Sequence, residues 1–304
     1  MLDRSVALER LVVGVATLLT VWGIGSFGIW DPWELVAADA ARTLLEAGRG
    51  SSTHTPLSTS MIAAAFEAFG FREWSGRLPG VLAGWLTCLL AFVLMRTHYG
   101  RRAAVITVAV IASTPLFLLN ARLLMGDAVG IFGQTWVGLA AIAACIRPHT
   151  PLRSLAHYIL LTFGIIVSTY ASGALLGPLP PIVAVAAWSL LSEDAGRGGP
   201  VGRWLLPTAG AVLVAGVVRA ILLDDPAFSF WLGGGAVGGN PPTFDKAMEL
   251  VFHGFAPWSA AIPVAAVWML VPRPTRNPEA QGGAWVLLLW GGFAFVSWTV
   301  FASR

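Results

Sequence analysis

Nine apolar runs, almost free of charge, follow one another along the chain at approximately 11–29, 78–95, 103–119, 128–146, 155–170, 174–191, 204–222, 256–271 and 284–301. Each is close to the ~20 residues that an α-helix needs to cross a bilayer, so the pattern predicts about nine transmembrane helices. The joint inside 155–191 is short, at Ala171-Ser172-Gly173, and Gly177, Pro178, Pro180 and Pro181 crowd the start of the next run. Two longer polar segments interrupt the series, 30–77 and 223–255. The first reads as two short helices, roughly 32–47 ended by Gly48 and Gly50, and 56–69 ended by Gly70. Leu57, Met61, Ala64, Ala65 and Ala68 recur at helical spacing, which suits a helix lying along the membrane surface. The second holds Gly233-Gly234-Gly235, Gly238-Gly239 and Pro241-Pro242 before an amphipathic stretch from Phe244 to Phe255, and reads as a loop covering a site.

Composition agrees with the pattern. Apolar residues make up 56% of the 304 residues and charged residues only 12%, and the mean hydropathy is +0.74. A soluble domain carries about 25% charge, so a water-soluble fold is excluded. The net charge of +3 does not mark a nucleic-acid surface, because the basic residues stand singly between apolar runs. Their distribution instead orients the chain. With the N-terminus cytoplasmic, Arg4, Arg10, Arg96, Arg101, Arg102, Arg147, Arg153, Arg197, Arg203, Arg273 and Arg276 fall inside, and both long polar segments fall outside with most of the acids. The first run is too long for a signal peptide and has no small-residue cleavage pattern before Trp30, so it reads as a retained span. Cys88 and Cys145 both lie in apolar runs, which supports neither a disulfide framework nor a metal site. No fixed-period repeat is present.

Candidate chemistry gathers on the outer side. Asp31 and Glu34, in Trp30-Asp31-Pro32-Trp33-Glu34, stand just beyond the first span, where a carboxylate can serve as a base or metal ligand facing a lipid-embedded substrate. The same spacing also reads as an N-cap, a proline at the first helical position and a capping-box glutamate, and on spacing alone capping is the simpler account. Asp127 opens the fourth apolar run on the same side, again as a candidate acid or an N-cap, and Arg122 before it can pair with an acid or contact a phosphate. His54 sits in the turn between the two loop helices, where it can meet an anionic headgroup or simply face water. Arg72 and Arg77 flank Trp74, as an interfacial anchor or for phosphate capture. Asp224-Asp225 is a weak candidate for a divalent cation. No glycine-rich phosphate loop, HExxH or nucleophile elbow occurs.

Taken in order, these motifs resemble a family of lipid-phosphate-sugar-dependent glycosyltransferases, the protein O-mannosyltransferase and aminoarabinose-transferase type. Trp30-Asp-Pro-Trp-Glu34 through Asp39 and Arg42 resembles the acidic first-loop helix of that family. His54-Thr-Pro56-Leu, then Ala68-Phe-Gly70 through Arg77-Leu-Pro79, is similar to the stretch from its KPP turn to the arginine-leucine-proline start of its second span. Leu119-Asn-Ala-Arg122-Leu-Leu-Met-Gly-Asp127 resembles its arginine-leucine stretch ending in aspartate, and Pro257-Trp258-Ser259 its proline-tryptophan-serine motif.

The resemblance implies an all-α polytopic inner-membrane protein, a GT-C-like helical bundle whose first periplasmic loop carries juxtamembrane helices, in one domain over residues 1–304. It implies transfer of a sugar from a polyprenyl-phosphate carrier to a lipid, glycan or protein acceptor on the periplasmic side. Asp31 with Glu34 would be the catalytic acids, and His54, Arg77, Arg122 and Asp127 would bind substrate. Charge on the departing phosphate would be met by Arg122 or a divalent metal ion. Three departures stand out. Trp33 occupies the place before Glu34 where the family's aspartate falls, Thr55 replaces the lysine before the turn proline, and relatives continue beyond Arg304, so the chain is expected to be C-terminally incomplete. Two other readings share the composition: a transporter or flippase, disfavoured by the lack of mid-membrane ionisable residues, and a non-catalytic relative or assembly subunit.

Overall fold

A computed structural model describes residues 4–47, 56–125, 127–146, 151–191, 243–271 and 278–301. All regular structure among them is helical. The chain divides into two compact units, one formed by residues 1–132 with 251–259 and the other by 133–250 with 260–304.

The first unit contains α1 (Arg4–Val21), α2 (Trp33–Ala47), α3 (Leu57–Phe69), α4 (Glu73–Tyr99), α5 (Arg101–Ser113) and α6 (Pro115–Arg122). The 27-residue α4 is its spine, long enough at about 40 Å to cross a bilayer, and it packs against α1, α3, α5 and α6. The α6 contact depends on small residues. A Cβ added at Gly84 would lie 2.6 Å from the Ala121 side chain, and one at Gly80 would lie 3.3 Å from the Ala121 carbonyl. Glycine at four-residue intervals lets two backbones approach in a solvent that offers no hydrophobic drive for helix association. Ala16, Cys88, Val108, Ala112, Phe117 and Ala121 form the core on this side. Ala41, Leu44, Ile62, Ala63, Phe66 and Leu124 form a second core, which holds the α2–α3 pair of the loop to the turn after α6.

The loop helices match the sequence expectation to within a residue at each described end. The spans do not map one to one onto the apolar runs. The run 11–29 is helical only to Val21, because Gly23 turns the chain at φ +72° and the carbonyls of Ile24, Phe27 and Gly28 are drawn onto the Arg77 guanidinium. The run 103–119 is broken by a 68° bend between α5 and α6. Pro115 has no N–H to continue the ladder, and the hydroxyls of Ser113 and Thr114 donate to the carbonyls of Ala109 and Val110, satisfying groups that a bend in lipid would otherwise strand.

The second unit takes up α7 (Asp127–Ile146) from Gly133 onward, then α8 (Pro151–Leu176) and α9 (Leu179–Leu191). After α10 (Phe244–Gly254) and a 3₁₀ turn at Trp258–Ala261, it continues with α11 (Ile262–Leu270) and α12 (Pro278–Phe301). α12 packs on α9 and α8. Here too glycine accommodates bulk: a Cβ at Gly282 would lie 2.9 Å from the Trp188 ring, and one at Gly138 would strike Trp290. Gly173, at φ +72°, kinks α8 close to the expected 171–173 joint.

Four described helices are long and apolar enough to cross a membrane, or up to six if two bent pairs count as one span each. The expected run 204–222 and the greater part of the loop 223–255 lie outside the described residues.

Candidate active site

The first turn of α4 is built to aim Arg77 inward. Ser75, fully buried, shares its one hydroxyl proton between the carbonyls of Gly70 and Arg72 and accepts the Arg72 N–H, closing the helix start. Gly76 leaves room beside it, since a Cβ there would strike Leu124 and lie 2.9 Å from the Phe66 ring. Arg77 then enters the protein with no exposed surface.

Every N–H of that guanidinium is used. Nε donates to Glu34 Oε1 at 2.8 Å and Nη2 to Glu34 Oε2 at 2.6 Å, a bidentate pair. Nη1 donates to the carbonyls of Ile24 and Phe27, at 2.7 and 2.8 Å, and Nη2 also donates to that of Gly28 at 2.8 Å. The Phe27 ring lies 3.9 Å from the guanidinium carbon. Glu34 is equally committed. Besides Arg77, Oε1 accepts the Leu124 N–H at 2.7 Å and Oε2 the Trp30 N–H at 2.9 Å. Burial pushes the Glu34 carboxyl up, but the hydrogen bonds from Arg77, Leu124 and Trp30 and the Arg77 charge outweigh it, and its pKa stands below the ordinary glutamate value.

The capping motif is therefore shifted. Glu34 reaches back to Trp30 rather than to Asp31, and α2 begins at Trp33 after a cis Asp31–Pro32 bond. Asp31 is released from that duty. It is exposed, and among the described residues its carboxylate has no hydrogen-bond or ion-pair partner.

Arg122, at the end of α6, contacts the other end of the same connecting segment. Its Nη2 donates to the Trp22 carbonyl at 2.8 Å, while its Nε is buried without a hydrogen-bond partner among the described residues. Together with Leu18, Leu19 and Trp22 it lines a cavity of about 220 Å³, an apolar trough along α1 with one cation at its end. Segment 22–32 thus runs from the Arg122 contact to Asp31. Asp127 heads α7 as the acid of its first turn. His54 lies outside the described residues, as do Thr55 and Asp224-Asp225. Among the described residues no three His, Cys, Asp or Glu side chains gather to hold a metal ion. The groups that sequence reasoning missed are mostly backbone, the carbonyls of Trp22, Ile24, Phe27 and Gly28 and the Trp30 and Leu124 amides, joined by the Ser75 hydroxyl and the Phe27 ring.

Residues 53–197 match the family model of the dolichyl-phosphate-mannose-protein mannosyltransferases. The fold is similar to that of crystal structures of ArnT from Cupriavidus metallidurans. The complex with undecaprenyl phosphate matches with a TM-score of 0.70 and 19% identity over 97% of this chain. The chain has the GT-C fold. The apo state of the same enzyme gives a TM-score of 0.66 at 17% identity. The chain spans 56% of the length of the ArnT complex and 60% of that of the apo form. No protein of curated function matches it in sequence. Within this GT-C frame, the segment from Trp22 to Glu34 leads from the first helix into the first loop, and the Arg122 trough lies beside its beginning.

Proposed function

We propose that the chain transfers a sugar from a polyprenyl-phosphate carrier to an acceptor hydroxyl on the non-cytoplasmic side of the bacterial inner membrane. One observation carries the reading: of the two acids at the start of the loop, Glu34 is consumed by a buried ion pair, while Asp31 is exposed and, among the described residues, unpartnered. A free carboxylate there can accept the proton of an acceptor hydroxyl as its oxygen attacks the anomeric carbon. The sugar–phosphate bond breaks, and the electron pair leaves with the polyprenyl phosphate. Arg122 stands where that charge can be met, with an unpartnered buried Nε and an apolar trough beside it that suits an isoprenoid chain. The family match over residues 53–197 and the GT-C fold support the same donor class.

In membranes supplied with a polyprenyl-phosphate-linked sugar, Asp31→Asn should lower transfer by about 10²- to 10⁴-fold while leaving insertion intact. Undiminished transfer by that variant would show that Asp31 is not the base.

A further inference from the structure

The Glu34–Arg77 pair has no exposed surface on either side chain, so neither residue meets substrate in this arrangement. What the pair does is join segments far apart in sequence. Arg77 gathers the carbonyls of Ile24, Phe27 and Gly28, which lead into Asp31. Glu34 takes the Trp30 amide next to Asp31 with one oxygen and, with the other, the Leu124 amide two residues past Arg122. We infer that Glu34 and Arg77 are positioning residues: one buried ion pair holds the Asp31 segment and the turn after Arg122 in a single register. What they position rests on the transfer reading above. The register itself is a property of the fold.

Arginine is required for this geometry because five donors in a planar fork serve four acceptor groups at once, and lysine offers three donors from a point charge. Glutamate is required because both oxygens each accept two hydrogen bonds, and an amide presents only one accepting atom.

Backbone amide exchange on the full chain in lipid nanodiscs tests the register. In the wild type the Trp30 and Leu124 amides should be protected together and open in one event, since both end on one carboxylate. Glu34→Gln should speed exchange at both by about 10- to 100-fold, the loss of hydrogen bonds to a charged group, with α3 and α5 unmoved. Arg77→Lys should do the same, and Asp31→Asn should do neither. Independent opening of the two amides in the wild type, or loosening of only one by these variants, overturns the inference, and the wild-type measurement decides even if a variant fails to insert.

Kinetics and binding supply the second arm. Glu34→Gln and Arg77→Lys should lower kcat by about 100-fold through a displaced base, while binding of undecaprenyl phosphate stays near the wild-type value. Lost undecaprenyl-phosphate binding with unchanged exchange would make Arg77 a direct phosphate ligand and overturn the positioning role. Undiminished transfer by Asp31→Asn with coupled exchange intact overturns the transfer reading and leaves the register standing.

Discussion

The two ends of α4 are each tied by an arginine to a buried glutamate, and they differ in the geometry of the contact and the exposure of the arginine. At the loop end, Arg77 meets Glu34 in a bidentate pair with neither side chain exposed, and backbone groups saturate what remains. At the opposite end, Arg96 and Arg101 stand 3.7 and 3.3 Å from Glu9, with the arginines nearly half exposed. Both glutamates are buried, but Glu34 has a bidentate cation and a full set of hydrogen bonds, whereas Glu9 is offset only by the nearby charge of two half-exposed arginines and its Oε1 accepts no hydrogen bond among the described residues. The loop end is therefore held to a fixed geometry and the other end merely by charge. The proposed base, Asp31, and the proposed phosphate contact, Arg122, lie at the fixed end.

The comparison breaks most sharply at Arg77. Replacing it by Ala leaves the Glu34 carboxylate buried without its cation, and should cost about 3–5 kcal/mol in thermal or chemical unfolding of the reconstituted protein. A smaller but local effect should come from Gly76→Ala, whose Cβ displaces Leu124 and the Phe66 ring and so loosens the amide that Glu34 accepts. We expect about 1–3 kcal/mol of destabilisation from overpacking, with amide exchange raised at residues 123–125.

Acidification sharpens the contrast without mutation. The folded state holds the Glu34 carboxyl below its ordinary value of 4.5. Its stabilisation is whole above pH 4.5 and is lost as pH falls through the lowered value. The unfolding midpoint should drop on acidification in the wild type and drop less in Glu34→Gln. The smallest effect belongs to the other end, where Arg96→Ala should change stability by no more than about 1 kcal/mol, less at high salt.

Part of this arrangement was legible in the residues. Membrane residence, the described extents of the two loop helices and the GT-C resemblance all followed from pattern and motif order, because hydropathy and helix termination are local properties. The candidate residues Asp31, Glu34, His54, Arg77, Arg122 and Asp127 were legible only as a list, and the pairing of Glu34 with Arg77 was not. Asp31 and Glu34 are both carboxylates in one five-residue motif, and nothing local separates a base from a buried partner. Arg77 read as an interfacial anchor or phosphate ligand because its partner lies 43 positions away. The first and third apolar runs read as straight spans because a run of apolar residues does not reveal a carbonyl pulled onto a distant guanidinium or a bend relieved by hydroxyls.

The sequence by itself determined the solvent, the helical class and which residue types could do chemistry, since these depend on composition and on neighbours along the chain. Only the tertiary structure decided that Glu34 is held in a buried ion pair while Asp31 has no partner among the described residues. That outcome depends on which carboxylate the Arg77 side chain reaches in the folded protein, and the buried guanidinium, its other N–H groups taken by backbone carbonyls, pairs with Glu34 alone in a fixed geometry.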